Sequence, residues 1–143
     1  MPEDAVERAI RRALNIARPA MATNFVHPDW RMYADEFRAF WGDTRLAAMS
    51  TVGESWPHAA PVEVTLARDR FIAPAFEDSV RAADARTNPR VALVSWDDAW
   101  HAAIVYGMAE DVFGGQVVVR PMRIYAMRAP KGHPHSRLYP LPN

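Results

Sequence analysis

The chain has 143 residues, the size of one domain, and 50% of them are apolar against 24% charged, a globular composition that excludes a disordered tail or a collagen-like repeat. It contains no cysteine, which excludes disulfides, thiolate metal sites and cysteine nucleophiles and suits a reducing compartment. The formal charge of zero is unevenly spread, because 17 acidic and 12 basic residues lie up to Asp111 and the remaining five basic residues follow with no acid.

The basic terminal segment suits a cofactor phosphate or an acidic patch on a partner subunit. A pI near 7.0 lacks the basic domain with interleaved aromatics that marks a nucleic-acid binder. Residues 1–18 mix Glu3, Asp4 and Glu7 with Arg8, Arg11 and Arg12, unlike a signal peptide, and no run approaches the roughly 20 apolar residues of a membrane span. The expectation is a soluble, cytoplasmic protein with neither nucleic acid nor membrane as partner.

In chain order, Val6, Ile10, Ala13, Leu14 and Ala17 recur at three- and four-residue steps and predict a helix over residues 3–17 that Pro19 ends. Asp29 is placed to cap a second helix, in which Trp30, Tyr33, Phe37, Phe40 and Trp41 form an aromatic, core-facing stripe before Gly42 stops it. The period then changes to that of strands, expected at residues 45–51, 58–66 and 70–75. Turns fall at 53–55 and 68–69, and Pro57 and Pro61 mark the second strand as an edge or a bulge.

Ser79 is expected to cap a short helix over 79–87 that Asn88-Pro89 ends. Strands over 90–96, 101–113 and 116–127 follow, with Asp97 and Asp98 as a turn and Gly114-Gly115 as a hairpin. The tail carries Pro130, Gly132, Pro134, Pro140 and Pro142 and should lack regular structure. Leu138, Tyr139 and Leu141 are anchors by which residues 131–143 would dock on the body or a partner. Helices over 1–43, a barrel over 44–128 and a Pro-rich basic tail over 129–143 make one domain, mainly β with flanking helices, built on a six-stranded antiparallel barrel.

The motifs of Rossmann domains, P-loop hydrolases, serine hydrolases and zinc proteases are absent. His133 and His135 have no nearby carboxylate and read as solvated, and Glu77-Asp78 as capping residues, so no metal is expected. His58 and Tyr106 are titratable and near the expected barrel mouth, but neither is singled out as a catalytic acid or base.

Six elements occur in order between Thr44 and Val112: Ser50-Thr51, Pro57-His58, Pro61-Val62, Ser79-Val80-Arg81, Asn88-Pro89-Arg90-Val91 and Gly107-Met108-Ala109. In these the chain resembles the flavin-binding split β-barrels that include pyridoxamine-phosphate oxidase and the F420-dependent reductases. The resemblance implies a homodimer with pockets between two barrels, an FMN cofactor (alternatively F420) and hydride transfer to or from an unknown small molecule. It implies that Pro61, Val62 and Glu63 lie along the isoalloxazine and that Ala73, Pro74 and Ala75 form the strand beneath the ribityl chain. Ser79 and Arg81 would hold the phosphate, Arg81 standing where the family has Lys, and Trp96, with Trp100, would flank the ring. Two other readings stay open: a haem-handling protein with His27 or His58 as axial ligand, and a cofactor-free binding protein on the same barrel. The tight Gly114-Gly115 hairpin stands where the family commonly has a helix. Residues 128–143 lack the Trp and Arg signature of the oxidases proper, so vitamin B6 oxidation is not implied.

Overall fold

Side-chain alternation decides the architecture. Along β1 (Thr44–Val52), Ala47, Met49 and Thr51 are buried while Leu46 and Val52 are exposed; along β2 (Pro57–Ala67), Val62 and Val64 are buried while Pro61 and Glu63 are exposed. Each strand thus has one apolar face to cover, which β3 (Arg70–Pro74), β4 (Arg90–Trp96), β5 (His101–Phe113) and β6 (Gln116–Arg128) share by closing into an antiparallel barrel of order β1-β2-β3-β6-β5-β4. The computed structural model describes residues 3–16 and 28–130, so His27, His133, His135, Pro19 and the tail anchors lie outside the described residues.

The barrel is closed but unevenly paired. β5 and β6 pair along their whole length, with register shifts between Tyr106 and Gly107 and between Ala109 and Asp111. β2 pairs with β1 from Pro57 to Thr65 but with β3 only from Thr65 to Ala67. Residues 57–64 therefore form a strand edge, as Pro57 and Pro61 led one to expect, since proline has no N–H to give a second neighbour.

Helix α1 (Ala5–Ile16) lays Val6, Ala9 and Ile10 against β6, and α2 (Ala34–Trp41) inserts Phe37 and Trp41 into the same core. Phe71 meets both rings edge-on, at centroid distances of 6.3 Å from Phe37 and 4.9 Å from Trp41. The Trp41 indole N–H donates to the Val64 carbonyl at 3.0 Å and so satisfies one group of the β2 edge. Gly42 ends α2 at φ 68° and donates to the Arg38 carbonyl.

Asp29 does not cap α2. Residues 28–30 form a separate 3-10 turn, Arg31 bridges to Met127, Met32 N–H donates to the Ala126 carbonyl, and α2 begins only after Tyr33. Pairing with β6 holds the segment extended, which splits the aromatic stripe: Phe37 and Trp41 are core, while Tyr33 is exposed and stacks with the Arg31 guanidinium. Helix α3 (Val80–Thr87) does start as expected, the Ser79 hydroxyl accepting the Ala82 N–H at 3.2 Å. No described helix is long and apolar enough to cross a membrane.

Candidate functional site

The free edge of β2 and the start of α3 enclose a cleft of about 440 Å³, lined by Met49 and Thr51 of β1, the 57–60 stretch of β2, and Val80 and Arg81. The Ser79 cap sets the first turn of α3. From there the Arg81 Nε donates to the Pro74 carbonyl at 2.9 Å, which pins the guanidinium while its two terminal nitrogens have no hydrogen-bond partner among the described residues. A fork held by one donor with the other two free is preorganised for an oxyanion.

One helical turn further on, Asp84 reaches back toward the barrel. Its Oδ2 accepts the Thr51 hydroxyl at 2.7 Å and the His58 Nδ1–H at 2.6 Å. Thr51 is 2% exposed and the Asp84 side chain 12%, whereas the His58 side chain is 44% exposed. Burial pushes the Asp84 carboxyl up, but the hydrogen bonds from His58 and Thr51 and the nearby imidazole outweigh this and hold it below the usual carboxylate range. An ionised carboxylate only accepts, so the proton of the neutral imidazole sits on Nδ1 and Nε2 is left for the cleft. Close packing fixes the arrangement further, since a Cβ at Gly53 would lie 2.3 Å from the Trp56 carbonyl oxygen and 2.5 Å from the His58 ring.

A second hollow, of about 510 Å³, lies on the outer face of β1, β2 and β4 and is lined by Leu46, Ala48, Pro61, Val94 and Trp96 among others. Leu46 is 63% and Trp96 66% exposed. Ala60 lines the first hollow and Pro61 the second; because neighbours on a strand face opposite sides, the two hollows lie on either face of β2 and come together at its free edge. Arg45, which also borders the second hollow, is committed to the fold: it bonds the Ser95 hydroxyl and the Phe40 and Trp96 carbonyls and stacks on Phe40.

The structure places Arg81 in the lining of the first hollow and Pro61 and Trp96 in that of the second, while Ser79 caps the helix that carries Arg81 without lining the hollow itself. Glu63 is exposed on the same strand, and Pro74 supplies the carbonyl that orients Arg81. Val62, Ala73 and Ala75 turn their side chains into the core, so a ligand outside the barrel would meet only their main chain, and the Ala75 N–H is already donated to the Gly115 carbonyl. Tyr106 lies on the β5 surface between Tyr125 and the Arg123 guanidinium, apart from the first cleft. Among the described residues no cluster of three or more His, Asp or Glu side chains is arranged to hold a metal.

Sequence reasoning missed Thr51 and Asp84 as partners of His58. They stand 7 residues before it and 26 after it, and no local pattern links them. The available signal was an acid within α3 on the same face as Arg81, three positions away.

This barrel, with an open edge beside a capped helix, defines a class. The family model for pyridoxamine 5'-phosphate oxidase matches residues 33–138, and the chain belongs to that family. No curated protein matches the sequence. Among solved structures, a conserved hypothetical protein from Mycobacterium tuberculosis is similar at TM-score 0.62 and 18% identity, covering 82% of this chain and 93% of that one. The FAD binding protein from Mycobacterium smegmatis is similar at 0.57 and 21%, covering 68% and 94%. A protein described as an F420 reductase is similar at 0.55 and 14%, covering 61% and 94%. At these identities the likeness is one of fold.

Proposed function

We propose that the protein is an oxidoreductase that binds a flavin, FMN by preference or the deazaflavin F420, and acts on a small molecule as a homodimer. The observation that carries this reading is the Arg81 fork, fixed by the Pro74 carbonyl and otherwise unpaired beside an open strand edge. The names of two similar structures, an FAD binding protein and an F420 reductase, are in keeping with it.

The residues present fit such a group. Arg81 would meet the phosphate, the β2 main chain from Pro61 to Glu63 would meet the polar edge of the ring system, and Leu46 and Trp96 would offer apolar contact to its faces. A bound flavin supplies the capacity to accept and give up hydride. The protein's part is to orient it, with β2 as a straight edge, and to exclude water through the apolar hollow. Exposed Leu46 and Trp96 on one barrel face also favour pairing of two copies there, which would cover that hollow.

Titrating the purified protein with FMN and with F420 while following fluorescence tests the cofactor, and sedimentation at micromolar concentration tests the dimer. Saturable binding with a dissociation constant in the micromolar range or below, on a particle of twice the 16.1 kDa chain mass, is expected. Absence of binding to either would remove the proposal.

A further inference from the structure

His58 has no role in the reading above, yet it is the cleft's most fully specified polar side chain. Its Nδ1–H is spent on Asp84, its Nε2 has no partner among the described residues, and its ring lines the same hollow as Arg81. We propose that His58 and Arg81 together form a proton-linked oxyanion site, in which Asp84 and Thr51 are positioning residues that fix the imidazole so that Nε2 becomes a second donor to the anion on protonation. This rests on the assignment of Arg81 to an anion and extends it to a second group, whose charge depends on its protonation.

The electrostatics follow from the groups that face His58. From α3 these are Asp84 and Arg81; β1 brings Met49 and Thr51, and β2 itself Ala60, none of which titrates in the histidine range. With His58 neutral, Asp84 and Arg81 cancel, and the anion is met by Arg81 alone. With His58 protonated, the cluster carries one net positive charge. Both donors then address the anion while the carboxylate remains largely covered, screened by the Thr51 and His58 hydrogen bonds. Asp84 stays ionised throughout, because its carboxyl is held below the usual range. Tautomer selection is what separates this from a solvated histidine, since without Asp84 either ring nitrogen could carry the proton.

Sulfate is the suitable probe, because its charge does not change across the histidine range whereas a phosphomonoester titrates there. Sulfate is titrated into the full-length protein at about pH 5.5 and about pH 8, at constant ionic strength, following the backbone N–H signals of Val80, Arg81 and Ala82 by NMR. Binding is expected to be about tenfold tighter at the lower pH, the increment of one added charge-assisted contact. His58→Asn, whose amide nitrogen stands where Nδ1 does and can still donate to Asp84 but carries nothing at the Nε2 position, should bind with the weaker constant at both pH values, and Arg81→Ala should lose most binding at both. Equal affinity at the two pH values in the wild type, a pH dependence that survives in His58→Asn, or no sulfate binding at all would overturn the proposal. The outcome is separable from the cofactor question: FMN binding without a sulfate pH effect sinks only the His58 role, and a sulfate site without FMN binding sinks only the flavin reading.

Discussion

Where β5 runs beside β6, two strands of 13 residues are paired from end to end and backed by α1, whereas β2 from Pro57 to Glu63 has a partner on one side only. The closed side is held by apolar burial, which is non-directional and distributed over many residues. The seam is held by a few directed bonds that converge on Asp84. Burial provides the larger share of stability, but it leaves no polar group free for a ligand; the seam is the weaker construction and for that reason can present Arg81 and His58 to solvent.

The largest effect is expected in the apolar core that both regions share. Trp41→Ala removes the largest wholly buried side chain and orphans the Val64 carbonyl, and should cost about 3–5 kcal/mol in chemical denaturation. A loss no larger than that of a seam variant would contradict the division drawn here. On the seam, Asp84→Ala strands the buried Thr51 hydroxyl and releases His58, with an expected cost of about 1–3 kcal/mol.

Asp84→Asn sharpens the same point through pH. Because the folded carboxyl lies below its ordinary value, its stabilisation is complete above the unfolded-chain value of about 3.9 and is lost as pH falls through the lower folded value. The stability difference between wild type and Asp84→Asn should therefore be full near neutrality and vanish in that acid window. A difference that stays constant down to acid unfolding would show that Asp84 does not titrate as described.

The seam was partly legible from residues alone. Pro57 and Pro61 announce an edge and Ser79 announces the start of α3, as, on the closed side, Gly114-Gly115 announces the tight hairpin, because each is a local backbone signal. Period-two alternation also assigns Val62, Ala73 and Ala75 to the core, which confines any ligand role to their main chain. The Thr51–Asp84–His58 cluster was not legible, since it is assembled by tertiary packing across β1, β2 and α3. Asp29 misled for a related reason: pairing of Arg31 with Met127 overrode a local capping signal.

Smaller effects refine the picture. Gly53→Ala, whose new Cβ must displace the Trp56 carbonyl or the His58 ring, should cost about 1–3 kcal/mol and disturb the seam without loosening the β5–β6 wall. Hydrogen exchange would localise that effect. Glu110 bridges Arg70 and Arg120 on the surface of the closed side, but such pairs are screened by water, so Glu110→Gln should change stability by only about 0.2–1 kcal/mol, and by less in high salt.

The central claim is that Arg81 holds the phosphate end of a flavin, and paired titrations of wild type and Arg81→Ala with FMN and with riboflavin test it most directly. Loss of a charge-assisted bond worth about 1.5–3 kcal/mol should weaken FMN binding roughly 10- to 150-fold. Riboflavin, which lacks the phosphate, should bind both proteins almost equally, and folding should be retained because the Arg81 side chain borders the cleft and not the core. Equal FMN dissociation constants for the two proteins, or a loss of riboflavin affinity as large as that of FMN, would contradict the account.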